Sequence, residues 1–339
     1  MGRDGFATYT GSWKSPDYEV NEQGKLVGGY QPTGPTNWGR WGEQDQRGTT
    51  NLLTPEKLVQ AARLVERGDV FSLALAIDAH GPRWPARPAP NHYFSQTGAD
   101  FVVGSPANLA MPGFTYNDDA LDMPLQGSTQ WDGLAHIAVE DSLYNGYWAG
   151  NVTAAGGASR CGIEHQRDAM AGRGVLLDMA RHLGVERVEP GYAISPEELE
   201  SCCEAQGVEV SEGDMLVLRT GDLQRWWALE SLDDKAGFFG ASPGLSRRCI
   251  PWLADKDVAT VSADTVGVEV IPLEEPVERV FPTHSAALVD LGITFGEFWV
   301  VDELAADCAK DGRYEFFLVA PPLNVPGAVG SPINPYAIK

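Results

Sequence analysis

Apolar positions along the chain fall into helical spacing in some stretches and into short continuous runs in others. After Thr54-Pro55-Glu56-Lys57, the residues Leu58, Ala61, Ala62 and Val65 recur at helical spacing. Thr54 reads as the N-cap, Pro55 as the first helical residue and Gly68 as the stop. Ser195-Pro196-Glu197-Glu198 is a second helix start with a capping box, and predicts a helix to Cys203 or Ala205. Residues 172–182 form an amphipathic stretch, with glycines preceding a helix and Val175, Leu176 and Met179 apolar. Residues 243–255 predict a further helix. Continuous apolar runs at 70–77, 214–220, 258–262 and 316–319 predict buried strands. Between them, residues 28–54 read as an ordered loop rich in Gly, Thr and Trp. Residues 79–93 hold four prolines, which excludes a helix or a central strand. Residues 94–125 read as short strands and turns, and residues 321–335 as an extended tail. This pattern predicts an α/β fold in a single domain over residues 28–339, preceded by a flexible polar arm over 1–27.

Composition narrows the function classes. The chain of 339 residues is long enough for an ample core, and its net charge of −22 disfavours nucleic acid and anionic lipid surfaces as partners. No apolar run of about 18 residues suggests a membrane span, and the N-terminus has no apolar signal core. Cys161, Cys202, Cys203, Cys249 and Cys308 are odd in number and widely spaced. They read as reduced thiols of a cytoplasmic protein. There is no Walker loop and no dinucleotide fingerprint.

The chemistry concentrates in Gln126-Gly-Ser-Thr-Gln-Trp-Asp-Gly-Leu-Ala-His136. On an extended segment Gln130 and Asp132 share a face, and a bend at Gly133 returns His136 toward them. An oxygen, a carboxylate and an imidazole in that arrangement suit either a divalent metal or a buried polar network under a loop. Glu140 lies four residues beyond His136 and would stand beside it if the segment were helical. His92 in the proline-rich loop is a candidate to line a pocket. Trp38, Trp41, Trp131, Tyr144 and Trp148 are aromatic enough to build a substrate cavity or, equally, a core. Arg219, at the end of the 214–220 run, either binds an anionic group or pairs with an acid; the second reading is favoured. Cys161 lies near His165 in sequence, and proximity is all that suggests a nucleophile there.

The stretch resembles the signature of the cyclase-like metal-dependent hydrolases, the family of bacterial kynurenine formamidase, isatin hydrolase and trans-dienelactone hydrolase. Their pattern is His-x-Gly-Thr-His-x-Asp-x-Pro-x-His. Thr129, Asp132 and His136 match in register, whereas Gln126 and Gln130 replace histidines and Leu134 replaces the proline. Residues 41–54 and 172–178 resemble the longer branch of that family. The pattern His284…Leu288…Gly292-Ile293…Glu297 resembles its second block, in which a histidine and a glutamate return to the metal site. The resemblance implies a mixed sheet partly closed into a barrel-like core with helices outside, of the swivelling β/β/α kind, in a homodimer or larger assembly. It implies hydrolysis of a small amide, lactam or lactone by a metal-activated water. Gln130, Asp132, His136, His284 and Glu297 would hold one divalent ion. Catalytic roles would fall to His284, Glu297 and Glu140, and His92, Trp131, Tyr144 and Trp41 would contact substrate. Replacing imidazole with the harder amide oxygen favours Mn2+ over Zn2+. Lyase, cyclase or isomerase chemistry on the same residues, or a binding protein with a decayed metal site, are the alternatives.

Overall fold

The computed structural model describes residues 19–103, 114–274 and 281–339. Residues 1–18 of the expected N-terminal arm lie outside the described residues, as does part of the 94–125 stretch. Residues 19–27 pack back on the chain. Lys25 bridges Tyr147, and the Trp148 amide donates to the Gly24 carbonyl at 2.9 Å.

Nine strands make one mixed sheet that curls into a half barrel with helices around it. They are β1 (Val70–Ser72), β2 (Gln130–Asp132), β3 (Ala171–Asp178), β4 (Met215–Arg219), β5 (Thr260–Ala263), β6 (Thr294–Glu297), β7 (Glu315–Val319), β8 (Gly330–Pro332) and β9 (Tyr336–Ile338). Their order is β1-β9-β7-β3-β4-β5-β6-β2-β8. The middle four, β3 to β6, run parallel, and the strands on either side are antiparallel. Parallel strands covered on both faces read as unbroken apolar runs. That is why Met215-Leu-Val-Leu218 shows no polar alternation. Val175, Leu177, Leu216, Leu218 and Val261 face the helices α1 (Pro196–Gln206) and α2 (Cys249–Asp255). Leu176, Met215, Val217, Phe316 and Leu318 point to the opposite core.

Two expectations change. The 172–182 stretch is mainly strand: β3 continues to Asp178, and only Met179–His182 is helical. A strand buried on both faces carries the same apolar density as one face of a helix, so the run alone does not separate them. Arg173 on β3 is held between Asp214 (2.5 Å) and Glu315 (2.7 Å), both on or beside its neighbouring strands. The 70–77 run is a short edge strand rather than a buried one. Val70 is 57% exposed, and only Leu73 and Leu75, beyond the ladder, are buried. The helix after Thr54 does form, at Pro55–Ala62, and Ser195 caps its helix through Glu198. Arg219 pairs with Asp178 and Asp302, both at 2.9 Å.

Trp131 occupies the centre of β2, and its alternation sends it away from Gln130 and Asp132 into the opposite core. Its indole packs edge-on against Trp299 at 4.9 Å and donates to the Ala320 carbonyl at 2.7 Å. The pair fits because Gly296 lies beside it on β6; a Cβ there would meet these two rings within 2.7 Å. Trp131 is therefore a structural residue and not the substrate contact expected from its place in the motif. Trp131→Ala should destabilise the fold by about 3–5 kcal/mol, measured by urea unfolding. A loss below about 1 kcal/mol would contradict this packing role.

Candidate metal centre

Register places the site residues. In the antiparallel β2–β6 ladder Gln130 lies opposite Glu297 and Asp132 opposite Phe295, so all four share a face. Gly133 then turns the chain, its amide donating to the Val329 carbonyl, and the His136 amide donates to the Gly133 carbonyl at 2.9 Å. The turn brings His136 Nε2 to 3.8 Å from Asp132 Oδ1. Thr129 fixes the start of β2: its hydroxyl accepts from the Leu75 amide and donates to the Phe298 carbonyl.

His284 arrives from the other side. It ends the short helix Pro282–His284, which continues as a wide π-type turn over Ser285–Leu291 before β6 begins. Its ring sits between Phe281 and Phe295, with centroids 5.7 and 5.0 Å away. Its Nδ1 bonds the buried carboxylate of Glu269, which also accepts from the amides of Thr283 and His284. A carboxylate on one ring nitrogen fixes the tautomer and aims the other. Nε2 accordingly faces Glu297 at 3.5 Å.

Asp132, His284 and Glu297 thus offer ligand atoms within 4.8 Å of one another, all buried. Gln130 spans the two acids, its Nε2 donating to Glu297 at 2.8 Å and to Asp132 at 3.3 Å. Its Oε1 is buried without a partner. An amide turned by 180° exchanges the two atoms and presents oxygen to the same place. Two carboxylates buried together repel and call for a cation. A cluster of carboxylates and imidazole with an orphaned amide oxygen is a donor set that fits a divalent metal. The cluster forms one wall of a cavity of about 200 Å³. Trp84, Ile137, Val266, Ile271 and Phe281 supply its apolar wall, and Arg87 faces it as well.

The remaining expected site residues lie elsewhere. Glu140 is exposed in a tight turn with φ of 44°, because residues after His136 form turns rather than a helix. His92 sits on a surface hairpin, paired with Asp119 at 2.6 Å. The Tyr144 hydroxyl is buried against Asp45, and Trp41 stacks under Arg40. Cys161 is buried, which pushes its thiol up and makes it a poor nucleophile. Glu269, Trp84 and Arg87 escaped the sequence reading. The proline-rich loop does cover the cavity, but through Trp84 and Arg87 instead of His92.

Three buried groups hold protons more tightly in the folded chain than in the unfolded one. Burial, reinforced by the charge of Asp132, pushes Glu297 up to about 7. Burial likewise pushes Asp264 up to about 7, against hydrogen bonds from Thr220 and Gly221. Burial alone would lower His284, but Glu269 and Glu297 together raise it to about 10. For the two acids the folded chain carries the extra proton from their ordinary range up to about pH 7. For His284 it does so from the ordinary imidazole range up to about 10. In both windows stability falls as pH rises, by up to about 1.4 kcal/mol per unit for each group. Chelator-treated protein should therefore show a falling urea midpoint from about pH 6 to about pH 9. A rising midpoint would contradict these environments.

The cyclase family profile matches residues 71–270, a span that includes β1 to β5 and the Gln126–His136 stretch. A crystal structure described as that of a novel cyclase is 44% identical, covers 90% of this chain and 98% of its own, and superposes with a TM-score of 0.84. Isatin hydrolase A from Labrenzia aggregata is 16% identical over 83% of this chain and 97% of its own, with a TM-score of 0.56. Isatin hydrolase A from Ralstonia solanacearum is 14% identical over 80% and 92%, also at 0.56. These last two show a shared fold. No curated protein sequence matches. Since the profile spans more than half of the chain and the 44% identical structure covers nearly all of it, the protein belongs to the cyclase family.

Proposed function

We propose that the protein is a metal-dependent hydrolase that opens a C–N or C–O acyl bond in a small amide, lactam or lactone. The observation that carries this reading is the convergence of Asp132, His284 and Glu297 on one buried point of a cavity with an apolar opposite wall. Gln130, Asp132, His136, His284 and Glu297 would surround the ion, with Gln130, Asp132 and Glu297 offering oxygen. A divalent ion bound there supplies a Lewis acid for the acyl carbonyl and makes water acidic enough to react near neutral pH. The oxygen-rich donor set favours a single Mn2+ over Zn2+. In the reaction the hydroxyl of water joins the carbonyl carbon, and its proton passes to the departing nitrogen or oxygen. Glu297, whose carboxyl is pushed up toward neutrality, is assigned to carry that proton. Glu269 acts through His284, holding the imidazole in register.

Elemental analysis of the purified protein, with turnover of lactones, lactams and formamides, tests the assignment. Asp132→Ala should lose both metal and turnover. Glu297→Gln should keep metal while turnover falls about 100-fold or more. An Asp132→Ala protein with full metal content would overturn the site, and a product of unchanged mass would replace hydrolysis with isomerisation.

The assembly we propose is a homodimer. The hairpin of Asn91–Gln96 and Asp118–Asp122 sets Phe94 and Leu121 on one surface face, each about half exposed. Clustered exposed apolar side chains of this kind favour association. Light scattering should report twice the chain mass of 36.6 kDa, and Phe94→Asp should shift it toward the monomer. A native monomer at micromolar concentration would rule the dimer out.

A further inference from the structure

Arg87 stands in an unusual electrostatic position. Its guanidinium faces the cavity that holds Asp132, His284 and Glu297, and its Nη1 donates to the Gln126 carbonyl at 2.6 Å. No described carboxylate forms an ion pair with it.

Arg87 also lines a second, adjoining cavity of about 290 Å³. There it is joined by His80, Arg83 and Lys235, with Trp226 and Phe239 as apolar walls. Arg83 spends its donors on the main-chain carbonyls of Ala79 and Gly81, and Lys235 lies over the Trp226 ring at 5.0 Å. Among the described residues no acid lines this vestibule. In a chain with 47 acidic and 25 basic residues, an acid-free cluster of cationic side chains goes against the overall charge. Fields of one sign focused in a cleft concentrate ligands of the opposite sign.

We infer that the cavity takes small substrates bearing a carboxylate away from the scissile bond, drawn in past His80, Arg83 and Lys235 and held by Arg87. This rests on reading the adjoining cavity as a hydrolytic site. The guanidinium offers a planar, paired set of donors suited to a carboxylate, which a lysine ammonium matches only as a point charge. Trp84, Val266, Ile271 and Phe281 would pack on the apolar body between the two polar ends. Arg87 is thus a specificity residue, and a neutral analogue leaves its charge unpaired.

The test uses two ketones that water cannot cleave, 1-indanone-5-carboxylate and 1-indanone-5-carboxamide, titrated calorimetrically into the protein as purified. The carboxylate should bind about tenfold more tightly than the carboxamide, as expected for a charge-assisted contact. Arg87→Gln should bring the two within about twofold, and Arg87→Lys should retain about threefold. Equal affinities in the native protein would overturn the inference, whether or not the variants fold. A tenfold preference that survives in a folded Arg87→Gln protein would do the same. Because neither probe is hydrolysed, a preference that depends on Arg87 would stand even if no amide or lactone were turned over, so the two readings fail separately.

Discussion

Two carboxylates buried beside each other set the terms for everything around them. Asp132 and Glu297 are both almost fully buried, and isolated charges at such depth are costly. The fold does not remove the conflict; it surrounds it. Gln130 donates to both acids, His284 approaches one of them as a cation, and Glu269 holds that cation from behind. The arrangement is stable enough to exist and unsatisfied enough to seek a positive ion. A cation-binding centre is the state in which each of these groups has a partner.

Much of that centre is legible from spacing. Period-two alternation puts Gln130 and Asp132 on one face, and Gly133 marks the turn that returns His136. The same rule sends Trp131 to the other face, into the core behind the sheet. His284 and Glu297 are recognisable only through family resemblance, since nothing in their own spacing says that the short helix before a π-type turn and the end of β6 meet at β2. Glu269 carries no local signal at all. It follows Val268, which has a φ of 58°, and its partnership with His284 exists only in three dimensions. Burial on both faces hid the strand character of residues 172–178.

The division between sheet and loops follows the division of labour. Asp132 and Glu297 come from strands whose hydrogen-bond ladder fixes their separation, whereas Trp84 and Arg87 come from a proline-stiffened loop. Side chains that must meet within an ångström are carried by the ladder. Those that shape the cavity are carried by a segment that tolerates substitution without disturbing the ladder.

The place of β2 in the sheet also dictates when the centre can form. This three-residue strand has β6 on one side and β8 on the other, both of which follow it by more than 160 residues. No local contact can hold it in register before they arrive. Loop-closure entropy over that distance makes such pairings slow to establish. A chain emerging from the ribosome therefore carries Gln130, Asp132 and His136 long before His284 and Glu297 are made, and the centre cannot assemble until the last quarter of the chain is present. An ion held at that centre would therefore report a completed sheet.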